Sequence, residues 1–295
     1  MSLLVDRVLT PDDPAFPVQV RAMSHPPARL WVRGELPAAP GVAVVGTRGA
    51  TDGAMRFTRE LARTLAEAGV AVWSGGAVGI DGAAHEGALA GGGPTVVVMG
   101  TGFSSTYPAS HRELFERVVE SGGAWLSPFE PKQSGARWTF LMRNELMACL
   151  VDAVVLVQSP LRSGARSTTA AARRMNKPVW VVPASPWEVE GQGCVAELRA
   201  GGRLCESAER ILASMGRPVR RRRREEDGSG GGQAGDGEPM ERAVLDALRS
   251  GRAHPDEICE RTGLPPGLVL GALLTLTLRH VLVEGSDGRF QRVTY

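Results

Sequence analysis

Valine-rich apolar runs separated by amphipathic stretches dominate the chain from residue 41 onward. The apolar runs, predicted as strands, are Val42–Val45, Val70–Trp73, Thr95–Met99, Ala124–Leu126, Ala153–Val157 and Pro178–Val182. The stretches predicted as helices are Thr51–Ala68, Gly79–Ala90, Ser110–Ser121, Phe140–Leu150, Ser167–Met175, Cys194–Ala200 and Ser207–Met215. Strands that are apolar throughout are buried on both faces, as in a parallel sheet covered by helices. We therefore predict a doubly wound α/β domain over residues 41–216.

The segments on either side of this domain have different patterns. Residues 1–40 are rich in proline and contain one short extended piece, Leu30–Arg33, so they are predicted to form an arm laid against the main domain. Residues 217–237 hold five successive arginines, then three successive acids and a glycine-rich tract. Such a composition cannot bury a core, so a disordered linker is predicted. Its arginines are either a solvated tether or a nucleic-acid contact, and the adjacent acids favour the tether.

Residues 238–295 are predicted to form a small winged-helix domain. Its elements are the helix Glu241–Arg249, a short helix and turn within His254–Gly263, the helix Leu264–His280, and a hairpin of Val281–Glu284 with Arg289–Val293. Seven arginines against eight acids give this segment a net charge of −1. Its third helix is almost entirely apolar, whereas a helix that reads bases needs polar donors. We therefore predict that this domain contacts protein, either a second copy or another factor, more than DNA.

Composition excludes several classes of protein. The chain has 295 residues, 43% of them apolar and 22% charged, with a net charge of +2. Its four cysteines, Cys149, Cys194, Cys205 and Cys259, are widely spaced, which favours free thiols over zinc ligands or disulfides. A signal sequence and an apolar run of about 20 residues are both missing, so we expect a cytoplasmic protein that does not enter a membrane. No metal and no cofactor are predicted.

The segment Ser74–Gly79 carries the strongest chemical signal. It follows an apolar run and opens an alanine-rich helix, and such a turn presents free N–H groups to an anion. Glycine lets the backbone approach a phosphate closely, so Ser74, Gly75 and Gly79 are predicted to contact one. The preceding strand ends in Val45–Ala50, which lacks the glycine spacing of a dinucleotide site but places Arg48 at the carboxyl edge of the sheet.

Two further groups of residues are compatible with more than one role. Ser163–Ala170 follows a strand and opens a helix, so Ser163, Arg166 and Thr168 are a second set of candidate phosphate donors, although such residues also cap helices. Asp81 and His85 share one helix face as an acid–base pair would. No nucleophile accompanies them, which favours a capping or buried hydrogen-bond role.

Aromatic and basic residues alternate in Arg137–Asn144. Proteins that bind single-stranded nucleic acid combine cations for the phosphates with aromatic rings on which bases stack. The alternative is that Trp138 or Phe140 belongs to the core and that Arg143 is an ion-pair partner. These residues alone leave both interpretations open.

Taken together, the motifs resemble those of the DprA (Smf) family, the DNA-processing proteins of bacterial natural transformation. The resemblance extends from about Pro14 to Pro183. The matching positions are Val45–Arg48, the glycine motif Ser74–Asp81, Ala84–His85, Ala88–Leu89, Tyr107–Pro108, Phe140 with Arg143–Asn144, Ser163–Gly164 with Thr168, and Val182–Pro183.

The resemblance implies an extended Rossmann-like fold that binds single-stranded DNA, forms a dimer, loads the recombinase RecA and performs no catalysis. By matching positions, Arg48 clamps a phosphate, Arg137 is a basic phosphate contact and Phe140 stacks on a base. Arg143 and Asn144 line the groove. The segments Ser74–Gly79 and Ser163–Thr168, with Gly164 and Arg166, supply N–H and hydroxyl groups to phosphates.

The sequence departs from the usual family pattern at four positions: Gly76 replaces leucine, Glu145 replaces arginine, Gln158 replaces an acid and Ala184 replaces glycine. A carboxylate at Glu145 opposes phosphate unless it pairs with Arg143 or Arg137. The main alternative function is a nucleotide-processing enzyme of the phosphoribohydrolase type, but its characteristic loop is replaced here by Ile80-Asp81. A winged-helix regulator with a ligand-sensing domain is disfavoured by the acidic C-terminal segment.

Overall fold

The computed structural model describes residues 6–217, 237–249, 251–278, 281–285 and 287–293. Contacts divide the chain into two compact units, residues 1–221 and 222–295. The predicted linker lies almost entirely outside the described residues, as do its five arginines. Every described helix is too short or too polar to cross a bilayer.

The first unit is built on a nine-stranded sheet. Its strands are β1 (Arg7–Leu9), β2 (Leu30–Gly34), β3 (Gly41–Val45), β4 (Ala71–Ser74), β5 (Thr95–Val98), β6 (Ala124–Ser127), β7 (Ala153–Leu156), β8 (Val179–Val181) and β9 (Arg203–Leu204). They lie in the order β1-β2-β6-β5-β4-β3-β7-β8-β9. The strands from β3 to β9 pair in parallel, which confirms the predicted parallel sheet.

Helices cover both faces of this sheet. They are α1 (Asp52–Glu67), α2 (Ile80–Ala90), α3 (Arg112–Glu120), α4 (Arg137–Leu150), α5 (Ala165–Arg174), α6 (Gln192–Arg199) and α7 (Ala208–Ser214). Leu146 of α4 and Ala171 of α5 belong to the core on one face. Leu61 of α1, Ala84 of α2 and Leu212 of α7 belong to the core on the other. The fold is therefore the doubly wound, Rossmann-like one that the sequence predicts.

The N-terminal arm is part of the sheet. Strand β2 pairs antiparallel with β6, from Trp31 opposite Ser127 to Gly34 opposite Ala124. Strand β1, which the sequence did not predict, pairs antiparallel with β2. Leu30 at the start of β2 is fully buried. The arm thus extends the sheet at one edge and contributes to its core.

The strand order determines where a ligand can enter. Strand β3 has β4 on one side and β7 on the other, so the loops that leave β3 and β7 diverge toward opposite faces of the sheet. In open α/β sheets the crevice at such a switch point, outside the carboxyl ends of the strands, is the usual binding site. Arg48 follows β3, and Ser163 with Gly164 follows β7.

The second unit is a winged helix. It consists of α8 (Gly237–Ala247), α9 (Pro255–Thr262), α10 (Pro266–Leu278) and the antiparallel strands β10 (Leu282–Glu284) and β11 (Phe290–Arg292). Its own core includes Val244, Ile258 and Leu273. The last two residues of the predicted third helix, Arg279 and His280, lie outside the described residues.

Candidate nucleic-acid interface

A cleft of about 310 Å³ lies at the carboxyl ends of β3 and β7. Its walls are the loop after β3, one side of α4 from Phe140 to Met147, the loop after β7 and the first turn of α5, with Ala77 and Asp81 from the glycine motif. Seven of the predicted site residues line it: Arg48, Phe140, Arg143, Asn144, Ser163, Gly164 and Thr168. The fold therefore brings together residues that are far apart in the sequence.

A cation and two aromatic rings meet at one wall of the cleft. The exposed guanidinium of Arg48 lies 5.9 Å from the ring centroid of Phe140 and 5.6 Å from that of Tyr107. Its Nη1 also donates to the Tyr107 hydroxyl at 3.4 Å. The two distances from the guanidinium to the ring centroids are within the range of a cation–π interaction. Proteins that bind single strands use such a pairing of an aromatic ring for a base with a cation for the phosphate.

The opposite wall is formed by the start of α5. Asn144 of α4 donates from Nδ2 to the Gly164 carbonyl at 3.1 Å and to Ser167 Oγ at 2.8 Å, which ties α4 to this turn. Thr168 lines the cleft and is 1% exposed, and its hydroxyl has no hydrogen-bond partner among the described residues. A buried polar atom without a partner is rare in native proteins. This hydroxyl can therefore donate to an anion in the cleft.

The glycine motif makes hydrogen bonds inside the fold, and Ser74 and Gly75 do not line the cleft. Ser74 is buried, and its hydroxyl donates to the Val44 carbonyl at 2.7 Å. The Asp81 carboxylate accepts from the Ala77 N–H at 3.3 Å and also from the N–H of Gly75. The anion held by this turn is therefore the chain's own carboxylate. This contact also confirms the hydrogen-bond role preferred for Asp81.

Two glycines of the motif are required by close neighbours inside the fold. Gly79 has φ +82°, and a Cβ there would stand 2.6 Å from the carbonyl oxygens of Thr47 and Arg48. A Cβ on Gly76 would overlap the ring of Phe115. This overlap explains why glycine replaces the leucine expected at that position. The glycines thus let the chain pack against itself.

Arg143 lies at the inner side of the cleft as a buried cation. It is 6% exposed, and its Nη1 donates to the Val98 carbonyl at 3.2 Å. Burial lowers the pKa of Arg143, and the nearby Asp81 carboxylate opposes that shift. Burial likewise raises the pKa of Asp81, while Arg143 favours its charged form. Arg143 therefore lines the cleft as a buried cation whose charge acts on the Asp81 carboxylate.

Two predicted arginines are not part of the cleft wall. Arg166 donates from Nε to the buried carboxylate of Glu197 at 2.8 Å and from Nη1 to the Leu161 carbonyl at 2.7 Å. Arg137 begins α4 and is exposed outside the cleft. The cleft instead includes Arg162, an exposed residue that the prediction missed. Its position just before Ser163, in a loop at the carboxyl edge, was the available signal.

Two of the residues that depart from the family pattern, Glu145 and Gln158, accept hydrogen bonds inside the fold. Glu145 pairs with neither Arg143 nor Arg137. It accepts from the N–H and the hydroxyl of Ser24, both at 3.1 Å, and lies 3.8 Å from Arg174. It therefore anchors the N-terminal arm. Gln158 accepts from the Thr51 N–H at 2.9 Å and so supports the start of α1.

Comparison with protein families decides the identity. The family model described as DNA recombination-mediator protein A matches residues 7–216. The chain belongs to the DprA family. The model described as the DprA winged helix domain matches residues 232–287. The predicted family and its role in DNA processing are thereby confirmed.

Several named proteins of the family are similar over most of this chain. A protein of Mycobacterium tuberculosis that carries the name DNA processing protein DprA is 38% identical, over 97% of this chain and 76% of its own length. Protein Smf of Synechocystis is 32% identical over 96% of this chain and 79% of its own.

Solved structures of the family share the fold. DprA from Streptococcus pneumoniae is 29% identical with a TM-score of 0.65, covering 70% of this chain and 73% of that one. DprA from Helicobacter pylori is 27% identical with a TM-score of 0.64, covering 71% and 95%. The Helicobacter pylori structure was described for a unique single-stranded DNA binding mode.

Proposed function

We propose that this chain binds single-stranded DNA in the cleft at the carboxyl edge of its sheet. One observation carries the proposal: exposed arginines, an aromatic ring and a buried hydroxyl with no partner in the described part of the chain converge on one cleft. The arginines are Arg48 and Arg162, the ring is Phe140 and the hydroxyl is that of Thr168. The Helicobacter pylori relative, described for single-stranded DNA binding, supports the same ligand.

In this proposal, the phosphates contact the outer cations and the start of α5. Arg48 and Arg162 are exposed and therefore keep charged donors available to the strand. Arg137, exposed at the start of α4, extends the basic surface beyond the cleft. Asn144, which holds the Gly164 carbonyl, orients the helix start. Because cations displace counterions from the strand, binding weakens as salt rises.

A base stacks on Phe140. The ring is half-buried and lines the cleft, with the Arg48 guanidinium beside it. Stacking of this kind contributes about 1–3 kcal/mol per base. In a duplex the bases are stacked on one another and paired, so they do not reach such a ring. Preference for the single strand follows from this geometry.

The family resemblance supports the remaining parts of the proposal. We infer that the chain acts as a homodimer that delivers bound strands to RecA during transformation and recombination, in the cytoplasm and without catalytic turnover. The winged-helix unit is proposed to contact protein. Its helix α10 has no charged residue, and it exposes Leu268, Leu270 and Leu274. The region boundaries proposed from the sequence are 1–40, 41–216, 217–237 and 238–295.

Fluorescence anisotropy with labelled oligonucleotides tests the DNA-binding part. The same sequence is titrated as single and double strand with the wild-type chain, Arg48→Ala and Arg59→Ala. Arg59 is a matched control because it is an exposed arginine on α1, paired with Glu86 at 2.7 Å. We expect tighter binding of the single strand and a loss of about tenfold, or about 1.4 kcal/mol, for Arg48→Ala alone. Equal affinity for both forms of DNA, or an unaffected Arg48→Ala, contradicts the proposal.

Separate measurements test the partners and the absence of catalysis. Light scattering should give the mass of a dimer. RecA should form filaments faster on a strand that already carries this chain than on the same strand coated by a general single-strand binding protein. Incubation with nucleoside monophosphates should release no free base. Release of base would favour the phosphoribohydrolase alternative.

A further inference from the structure

Glu197 lies outside the cleft but is joined to it by one arginine. The residue belongs to α6 and is 3% exposed. Its Oε1 accepts from Arg166 Nε at 2.8 Å, and its Oε2 accepts from Arg173 Nη1. Arg173 also donates from Nη2 to the main-chain carbonyl of Glu197 at 2.9 Å. A buried carboxylate is stable in such a place because two guanidinium groups surround it.

Arg166 connects this carboxylate to the loop that forms the cleft wall. While Nε points to Glu197, Nη1 donates to the Leu161 carbonyl at 2.7 Å. The loop at residues 159–164 has no regular secondary structure of its own, and it carries Arg162 and Ser163 into the cleft. A guanidinium is planar and holds its donors in a fixed fork, so fixing one edge on Glu197 fixes the direction of the other.

The same loop has a second attachment to α6. The Gly193 N–H donates to the Ser159 carbonyl at 2.8 Å, and a Cβ on Gly193 would stand 2.5 Å from the Pro160 carbonyl. The helix that carries Glu197 is thus packed directly under the start of the loop. The contact at Ser159 comes from α6 itself, whereas the contact at Leu161 comes from Arg166 of α5, which Glu197 of α6 holds.

We propose that Glu197 is a positioning residue for the DNA-binding cleft and that Arg166 acts with it rather than as a phosphate contact. The carboxylate holds the Arg166 guanidinium, which in turn holds the Leu161 carbonyl and sets the direction of Arg162 and Ser163. This inference rests on the proposed function, because the cleft that is positioned is the proposed DNA site. It assigns to α6, which does not line the cleft, control over the affinity for the strand.

The salt dependence of binding separates a contact from a positioning residue. For single strands, the logarithm of affinity falls with the logarithm of salt concentration, with a slope of about −0.7 for each neutralised phosphate. Removing a residue that touches phosphate reduces the magnitude of this slope. Removing a residue that only orients the loop lowers the affinity and leaves the slope nearly unchanged.

The experiment compares the full-length wild type with Arg162→Ala, Arg166→Ala, Glu197→Gln and Arg173→Ala across a series of salt concentrations. We expect Arg162→Ala to reduce the magnitude of the slope by about 0.7. Arg166→Ala and Glu197→Gln should each weaken binding about tenfold, or by about 1.4 kcal/mol, at an unchanged slope. Arg173→Ala is the matched control: it breaks the other half of the same ion cluster and should bind DNA as the wild type does.

Arg166→Ala keeps the test valid if Glu197→Gln does not fold, because the Glu197 carboxylate remains paired with Arg173. In this variant, amide hydrogen exchange at residues 159–164 should accelerate, a readout that needs no DNA. Arg166→Lys should recover part of the affinity, since an ammonium can reach the carboxylate or the carbonyl but lacks the fork.

Several results would overturn the proposal. They are a reduced slope in Arg166→Ala, normal affinity in both Arg166→Ala and Glu197→Gln, an equal loss in Arg173→Ala, or unchanged exchange in the loop. If the wild type itself does not bind the single strand, the proposed function fails. If the wild type binds and Arg48→Ala weakens binding while Arg166→Ala does not, only the positioning role fails.

Discussion

The guanidinium of Arg143 lies directly against the α-carbon of Gly75, in the space where any side chain at position 75 would stand. Arg143 belongs to α4, whereas Gly75 follows β4, so this contact joins a helix to the end of a strand far from it in the sequence. Glycine is needed here because a buried arginine must pass over the backbone to reach the Val98 carbonyl and the neighbourhood of Asp81. The position of the Arg143 guanidinium therefore depends on the absence of a side chain at Gly75.

Gly75→Ala should therefore destabilise the fold and weaken DNA binding together. A methyl group at this position overlaps the guanidinium and displaces a buried cation from its partners, which should cost about 3 kcal/mol. Urea unfolding followed by circular dichroism measures the change. Gly53→Ala is the matched control, since Gly53 lies in the first turn of α1 with open space around it. It should be neutral or slightly stabilising, and equal stability of the two variants would contradict the role given to Arg143.

We predict that the folded protein loses stability in acid because His85 is buried in its neutral form. Thr95 Oγ1 donates its proton to the Val72 carbonyl at 2.6 Å, so it accepts from His85 Nδ1 at 2.8 Å. The other ring nitrogen, Nε2, is buried and has no partner among the described residues. Burial is the largest cause that lowers the pKa of His85, to about 3, and the charges of His111 and Arg143 add to it.

Because this pKa is depressed in the folded state, the stabilising effect is complete above about pH 6.5 and is lost as the pH falls toward 3. The free energy of unfolding should decrease by up to about 1.4 kcal/mol for each pH unit below 6.5. In His85→Gln this part of the pH dependence should vanish. The measurement is urea unfolding of both proteins between neutral pH and about pH 5. A constant difference between them across that range would exclude His85 as the cause.

The strands of the sheet could be predicted from the sequence because they are buried on both faces. An uninterrupted valine-rich run such as Val42–Val45 matches β3 almost residue for residue. Strand β1 could not be found in this way, because Arg7–Leu9 is short and its first two residues are exposed at the edge of the sheet. Its place depends on pairing with β2, which no local pattern reports.

The candidate site was predictable only as far as it depends on strand ends. Arg48 and Ser163 follow β3 and β7, so the parallel topology alone places them at one edge. The roles of Gly75 and Arg166 depend instead on partners from distant elements, Arg143 and Glu197. A glycine-rich turn has the same sequence whether a phosphate or the chain's own guanidinium lies against it. Three-dimensional packing decides between the two.

The burial of the four cysteines predicts which of their thiols react in the native protein. Burial raises the pKa of Cys194 to about 11 and of Cys205 to about 12, and it also raises the pKa of Cys149. Only thiolates react, and Cys259 is the one cysteine of the four that is half-buried rather than buried. In the native protein at about pH 8, a disulfide reagent should label Cys259 alone, and all four should react after denaturation. Cys259→Ser should then show almost no native reaction, and fast labelling of that variant would contradict the assignment.

The winged-helix unit should contribute little to the affinity for single-stranded DNA. Residues 238–295 carry seven arginines and eight acids, a net charge of −1, which does not favour phosphate. Helix α10, which occupies the position of a recognition helix, presents Leu270 and Leu274 at 53% and 62% exposure instead of polar donors. A chain that ends at residue 217 keeps the Arg217 contact to the Ala68 carbonyl and the whole sheet.

This shortened chain should bind the single strand within about twofold of the full chain when both are titrated by anisotropy at equal salt. A second chain, ending at residue 227, separates the arginine run from the winged helix. If only the shorter chain loses affinity, the five arginines contact DNA and are not a tether. If both shortened chains lose about tenfold or more, the prediction is wrong, and the winged helix contributes to binding either directly or through its contact with a second copy.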